Sequence, residues 1–279
     1  GLPAFRSQHI ERMRSTCKPP IAVGELTGDA SPALFKMKSN DLKAILSNLH
    51  FVEDKEATTA AKASDPKFRE RKLKDKLCIW DYPDTSERVS DRYLVVFDPQ
   101  KGISEAADWG VITVIDRYSM MYDDKPEIVA QWRGKIDKDI SIWIAARIAK
   151  YYNNALLVVE SNTYDTDNKE DDAETIFNIL AEYYDNLYSR TPADKIKEGK
   201  PVKYGFHTNK STKPLIRSTY VAILREQSYI ERLEDVLDEA RVYEQKQDES
   251  FGAKDGHHDD IIMTRMIGLY ICFFEMPKP

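Results

Sequence analysis

The sequence predicts an α/β fold: a mixed five-stranded sheet, three antiparallel strands followed by parallel ones, flanked by helices. Strand-like segments near 92–98, 109–117 and 127–133 follow one another across short polar turns, as in an antiparallel meander. The next two, near 155–160 and 202–206, are each reached through a helical pattern, and such crossovers make strands parallel. Several of these segments are apolar without alternation, as in strands buried on both faces.

The elements read as follows. Tyr93–Phe97 is a continuous apolar run that ends in Asp98, and Pro99 cannot extend a ladder. Gly102 supplies a turn, and Trp109–Tyr118 is the second strand. Asp123-Asp-Lys-Pro126 turns the chain into the third. A helix spans 139–152, with Ile140, Trp143, Ile144, Ile148 and Tyr151 on one face. Asn153-Asn154 breaks it before the strand Ala155–Glu160. Helices are expected at 171–189, 211–227, 231–244 and 259–274, with a short strand at 202–206. Residues 1–76 read as a linker or extension, partly helical near 5–17 and 41–50, with a charged connector over 53–76. Leu77–Trp80 is a short strand at the edge of the main domain, which spans 77–279.

With 279 residues, 42% of them hydrophobic, the chain can bury a sizeable core. Its net charge of −6 argues against a dedicated high-affinity DNA-binding module. The charge is uneven, however: Asp194–Arg217 is rich in lysine, and Ser161–Asp185 is acidic. Three widely spaced cysteines without C-x-x-C suggest a reducing compartment and no zinc site. No stretch is apolar for long enough to be a membrane helix. The motifs G-x-x-x-x-G-K-[ST], G-x-S-x-G and H-E-x-x-H are absent. The acidic loop from Asp165 lacks the Gly and Glu that an EF-hand needs at its sixth and twelfth positions.

Three acidic stations remain. Asp98 ends the first strand and Glu160 the fourth; if those strands are neighbours, both acids leave one sheet edge. Asp259 and Asp260 open the last helix, whose apolar remainder would be buried against the sheet. Each has an ordinary reading as well: a turn-opening Asp, a loop-starting Glu and a capping pair. Together they suit a hard divalent cation such as Mg²⁺ or Mn²⁺. Two such ions about 4 Å apart support phosphodiester hydrolysis. His257 and His258 are candidates to contact phosphate, orient water or join the ligands. Lys210 and Lys213, ahead of the 211–227 helix, are candidate phosphate contacts.

The ordered set VVFDPQKG, LLVVESN, HTNKSTKPLI and GHHDDIIM resembles the C-terminal nuclease domain of the large terminase subunit of tailed phages, over about 77–279. The resemblance implies an RNase H-like fold with the first and fourth strands adjacent. It implies a Mg²⁺- or Mn²⁺-dependent endonuclease, with two ions, that cuts double-stranded DNA during genome packaging. It implies catalytic acids at Asp98, Glu160 and Asp260, with Asp259 also a metal-ligand candidate, and it matches Lys213 to a recurring family lysine. Implied partners are DNA, a terminase ATPase motor domain, the small terminase subunit and the portal, with no membrane, in the cytoplasm of a bacterial host. The chain departs from the family where an acidic SNTYDTDNKEDD stands in place of a Gly-rich turn. Two other readings fit the same acids less fully: a junction resolvase or hybrid nuclease of the same fold, and a non-catalytic docking module.

Overall fold

The computed structural model describes residues 1–28, 42–86, 88–100, 108–165 and 170–279, without the side chains of 165 and 170–175. The expected turn at Gly102 and the loop centre at 166–169 lie outside the described residues. The first part of the chain runs β1 (Leu2–Pro3), α1 (Ser7–Met13), β2 (Ala22–Thr27), α2 (Leu42–Ile45), β3 (His50–Glu53), α3 (Lys55–Ala60), α4 (Pro66–Leu73) and β4 (Lys76–Ile79). The second part runs β5 (Tyr93–Asp98), β6 (Gly110–Asp116), β7 (Glu127–Gly134), α5 (Lys138–Tyr151), β8 (Leu156–Val159), α6 (Asn162–Asp165), α7 (Glu170–Tyr183) and α8 (Ala193–Lys197). It closes with α9 (Thr212–Glu226), α10 (Asp235–Val242), β9 (Tyr243–Gln245), β10 (Phe251–Ala253) and α11 (Asp260–Tyr270).

The main sheet has seven strands in the order β3-β2-β4-β7-β6-β5-β8. The meander β5-β6-β7 is antiparallel, and β8 pairs with β5 in parallel, Phe97 opposite Val159. This is the mixed α/β arrangement expected from the sequence, with the first and fourth strands of the expected set adjacent. The strand count differs from five in two places. Residues 22–27, 50–53 and 76–79 extend the sheet beyond β7, and β4 lies between β2 and β7 rather than at an edge. The segment 202–206 makes only isolated bridges, Glu160 with Phe206 and Ser189 with Tyr204. Gly205 has φ +79 there, and an added Cβ would stand 2.8 Å from the Val159 carbonyl, so the backbone kinks instead of extending.

Alternation along β5 and β8 fills two cores. Leu94, Val96 and Val158 face one cluster with Val111, Ile115 and α11. Tyr93, Val95, Phe97, Leu157 and Val159 face the other, against α5 and Leu180 of α7. Helix α11 is apolar nearly all round and buried from Asp260 to Leu269. It packs so closely that a Cβ on Gly268 would meet Ile115 and Val96 side chains at 2.7 and 2.8 Å. The first residues of the chain join the same core, with Phe5, Ile10 and Met13 buried in it.

Candidate metal centre

Asp98 is the last residue of β5 and lies opposite Val111 of β6. The Glu160 backbone N–H donates to the Phe97 carbonyl at 2.9 Å, so the two acids leave neighbouring strands at one edge. The period of two puts both on the face of Val96 and Val158, the face covered by α11. Glu160 is buried, and its Oε1 accepts a hydrogen bond from the Thr208 hydroxyl.

Asp260 opens α11 at the same edge. Its Oδ2 accepts the backbone N–H of Trp109 at 3.0 Å, immediately before β6 and beside the end of β5. Burial pushes its carboxyl up to about 7. The Trp109 N–H opposes that shift, while the charges of Asp108 and Asp259 add to it. Its neighbour Asp259 turns elsewhere, accepting the Ala253 N–H of β10 at 3.3 Å.

Among the described residues, the tight group of candidate ligands is Asp108, His258 and Asp260, whose donor atoms all lie within 4.8 Å of one another. Asp98 and Glu160 are not in that group. The His258 Nδ1 stands 3.6 Å from Asp108 Oδ1 and 3.7 Å from Asp260 Oδ2, and it makes no hydrogen bond. Two carboxylates converging on an unbonded imidazole nitrogen fit a divalent cation that takes oxygen and nitrogen donors, Mn²⁺ or Mg²⁺. His257 is exposed and faces no acid among the described residues. Sequence reasoning missed Asp108, which stands two residues before β6 with nothing local in the sequence to single it out.

The lysine-bearing loop is tied to this edge. The Thr208 N–H donates to Asn162 Oδ1 at 2.9 Å, and Asn162 Nδ2 donates back to the Thr208 carbonyl. Asn209 Oδ1 then accepts the Ser211 and Thr212 N–H groups, starting α9. Lys210 is exposed and Lys213 half-buried, and neither forms an ion pair with a described residue. Buried Glu239 on α10 was also not foreseen. Its Oε2 accepts the Ile262 N–H of α11 at 3.0 Å.

No family model matches the chain, and no curated protein matches it. Among solved structures it is similar to the large terminase nuclease of a thermophilic phage with bound magnesium. That match has 15% identity and a TM-score of 0.44 and covers 68% of this chain and 85% of the other. It is also similar to a Thermus phage large terminase nuclease domain, at 14% identity and TM-score 0.43, over 70% and 85% of the two chains. The human cytomegalovirus terminase nuclease domain matches at 11% identity and TM-score 0.43, over 70% and 90%. Likeness at this level leaves the question of function to the chain's own side chains.

Proposed function

We propose that this chain is a divalent-metal-dependent endonuclease that cuts double-stranded DNA during phage genome packaging, of the large-terminase kind. The observation that supports it most is that Asp98 and Glu160 leave neighbouring strands at one sheet edge, on the face that α11 covers, with Asp260 opening α11 beside the start of β6. Carboxylates so placed repel one another unless a cation or a proton compensates them. In this reading Asp98, Glu160 and Asp260 hold two Mg²⁺ or Mn²⁺ ions, and Asp108 and His258 extend the ligand set around Asp260. Held there, such ions would supply the Lewis acidity that phosphodiester hydrolysis needs. The chain's own contribution is geometric. The Trp109 N–H orients Asp260, and Thr208 orients Glu160. Thr208 also couples the acidic edge to the loop of Lys210 and Lys213, which would contact backbone phosphates. His257, exposed next to the site, is a further phosphate contact, and Asp259 serves the β10 hairpin first.

The same reading assigns an ATPase motor, a small terminase subunit and a portal as partners, in the cytoplasm of a bacterial host. No helix among the described residues is long and apolar enough to cross a membrane. The test is plasmid cleavage with Mn²⁺, Mg²⁺, Ca²⁺ or EDTA, alongside Asp98→Ala, Glu160→Ala and Asp260→Asn. Cutting should need Mn²⁺ or Mg²⁺ and fall to background in each folded variant. Normal cutting by Asp98→Ala would end this assignment. A strong preference for four-way junctions or RNA–DNA hybrids in a substrate panel would move it to another nuclease class.

A further inference from the structure

The two aspartates at the start of α11 have matching surroundings, each held by a backbone N–H near an aromatic ring that carries an arginine. Asp260 is held by the N–H of Trp109, and the guanidinium carbon of Arg133, from β7, lies 4.4 Å from the Trp109 ring centre. Asp259 is held by the N–H of Ala253, two residues after Phe251, and the guanidinium carbon of Arg217, from α9, lies 4.0 Å from the Phe251 ring centre. Each arginine is thus parked on an aromatic face one step from an acid of the candidate site. The charge of Arg133 reaches Asp260, Glu239 and Asp235, yet it forms an ion pair with none of them.

Three other arginines in this half of the molecule behave differently. Arg92, Arg232 and Arg265 each pair with an acid at 2.5–2.9 Å. Neither Arg133 nor Arg217 makes an ion pair or a side-chain hydrogen bond with a described residue, and the buried Nε of each has no partner. The Nε atoms of Arg117 and Arg147 are unpartnered too, but those side chains donate to backbone carbonyls, so what sets Arg133 and Arg217 apart is that neither guanidinium bonds to a described residue. A ring covering the flat face of a guanidinium still leaves its N–H edge free to bond in the plane. That edge matches two oxygens of one phosphate. An acidic edge that takes a polyanion also needs cations beside it to offset repulsion.

We propose that Arg133 and Arg217 form a phosphate-gripping pair that brackets the acidic edge, contacting the DNA backbone on either side of the scissile bond. The choice of DNA rests on the nuclease reading, but the test does not depend on cutting. The full chain is titrated onto a short fluorescein-labelled duplex in Ca²⁺, across a salt series, and binding is read by anisotropy. Arg133→Gln, Arg217→Gln and the double variant are compared with wild type, with circular dichroism confirming the fold. Each single variant should lower the slope of log K against log salt by about one, and the double variant by about two, equally for unrelated duplex sequences. Arg→Lys at either position should keep the slope but weaken binding several-fold, and it serves as the readout if a Gln variant does not fold. Unchanged slopes in folded Gln variants, or a Lys variant that binds like wild type, would overturn the pair. So would a shift confined to metal affinity or pH profile, since that would make the arginines only neutralisers of buried acids. A wild-type chain that binds duplex but never cuts would remove the nuclease reading and leave the slopes to judge the pair; one that does not bind duplex would overturn both.

Discussion

Glu239 is a carboxylic acid inside an apolar core, 8% exposed, facing the first turn of α11. Burial pushes its carboxyl from an ordinary 4.5 up to about 8; Arg133 and the Ile262 N–H oppose the shift, and Asp260 and Asp259 add to it. The native state therefore holds this proton where the unfolded chain has released it. An acid whose folded pKa is raised contributes its full stability at low pH and loses it as pH rises from the unfolded value to the folded one. Stability should fall between about pH 5 and about pH 8 for this reason. Glu239→Gln keeps an acceptor for Ile262 and cannot ionise, so its melting temperature should fall less steeply over the same range. Calorimetry at several pH values checks this, and parallel curves for the two proteins would show that Glu239 is not the titrating group. Asp260 also carries a raised carboxyl, which leaves a residual slope in the variant.

At the scale of elements, α11 carries Asp260 to the sheet edge, and a polar network sets its position along its axis. The close fit at Gly268 already holds the helix against the sheet, and directional polar bonds add to it. Arg265 supplies them. It pairs with Glu231 at 2.9 and 3.0 Å, both side chains fully buried, and donates to the Thr113 hydroxyl of β6 at 2.6 Å. The Tyr229 hydroxyl and the N–H groups of Arg232 and Leu233 complete the bonding of Glu231. Arg265→Met should cost about 3–5 kcal/mol in urea unfolding, because Glu231 is left buried without its counter-charge. Arg265→Met with Glu231→Leu should recover most of that loss, since replacing the whole pair removes the unpaired charge. A single variant costing less than about 1 kcal/mol would mean that the pair is not holding the helix.

Over the whole molecule, the first twenty residues are part of the core rather than an appendage. The Phe5 ring packs at 5.4 Å from Tyr220 and 5.5 Å from Tyr243. The Lys18 carbonyl accepts the Trp80 indole N–H at 2.6 Å, and the Lys18 N–H donates to the Arg232 carbonyl at 3.0 Å. Exposing the sites of Phe5, Ile10 and Met13 should cost roughly 5 kcal/mol at about 1.5–3 kcal/mol for each side chain. A chain starting at Ile21 should melt on the order of 10 °C lower and bind more of an apolar dye. An unchanged melting temperature would mean that this segment is not integral to the fold.

The sequence determined β5 to β8, the helices α5, α9 and α11, and the acids at the strand exits. A strand buried on both faces is apolar along its whole length, and a helix on a core repeats its apolar face every turn, so both announce themselves locally. The tertiary structure decided which weaker segments complete the sheet. Strand β3 is largely exposed and β2 is buried only over its first half, so neither has the continuous run that would declare it. It also decided the company of Asp260. His258 is two residues away, but Asp108 from just before β6, Glu239 from α10 and Arg133 from β7 lie far off in the chain. No periodicity reports such a meeting, because it depends on where α11 is pinned against β6, and that is settled only when distant buried charges find each other.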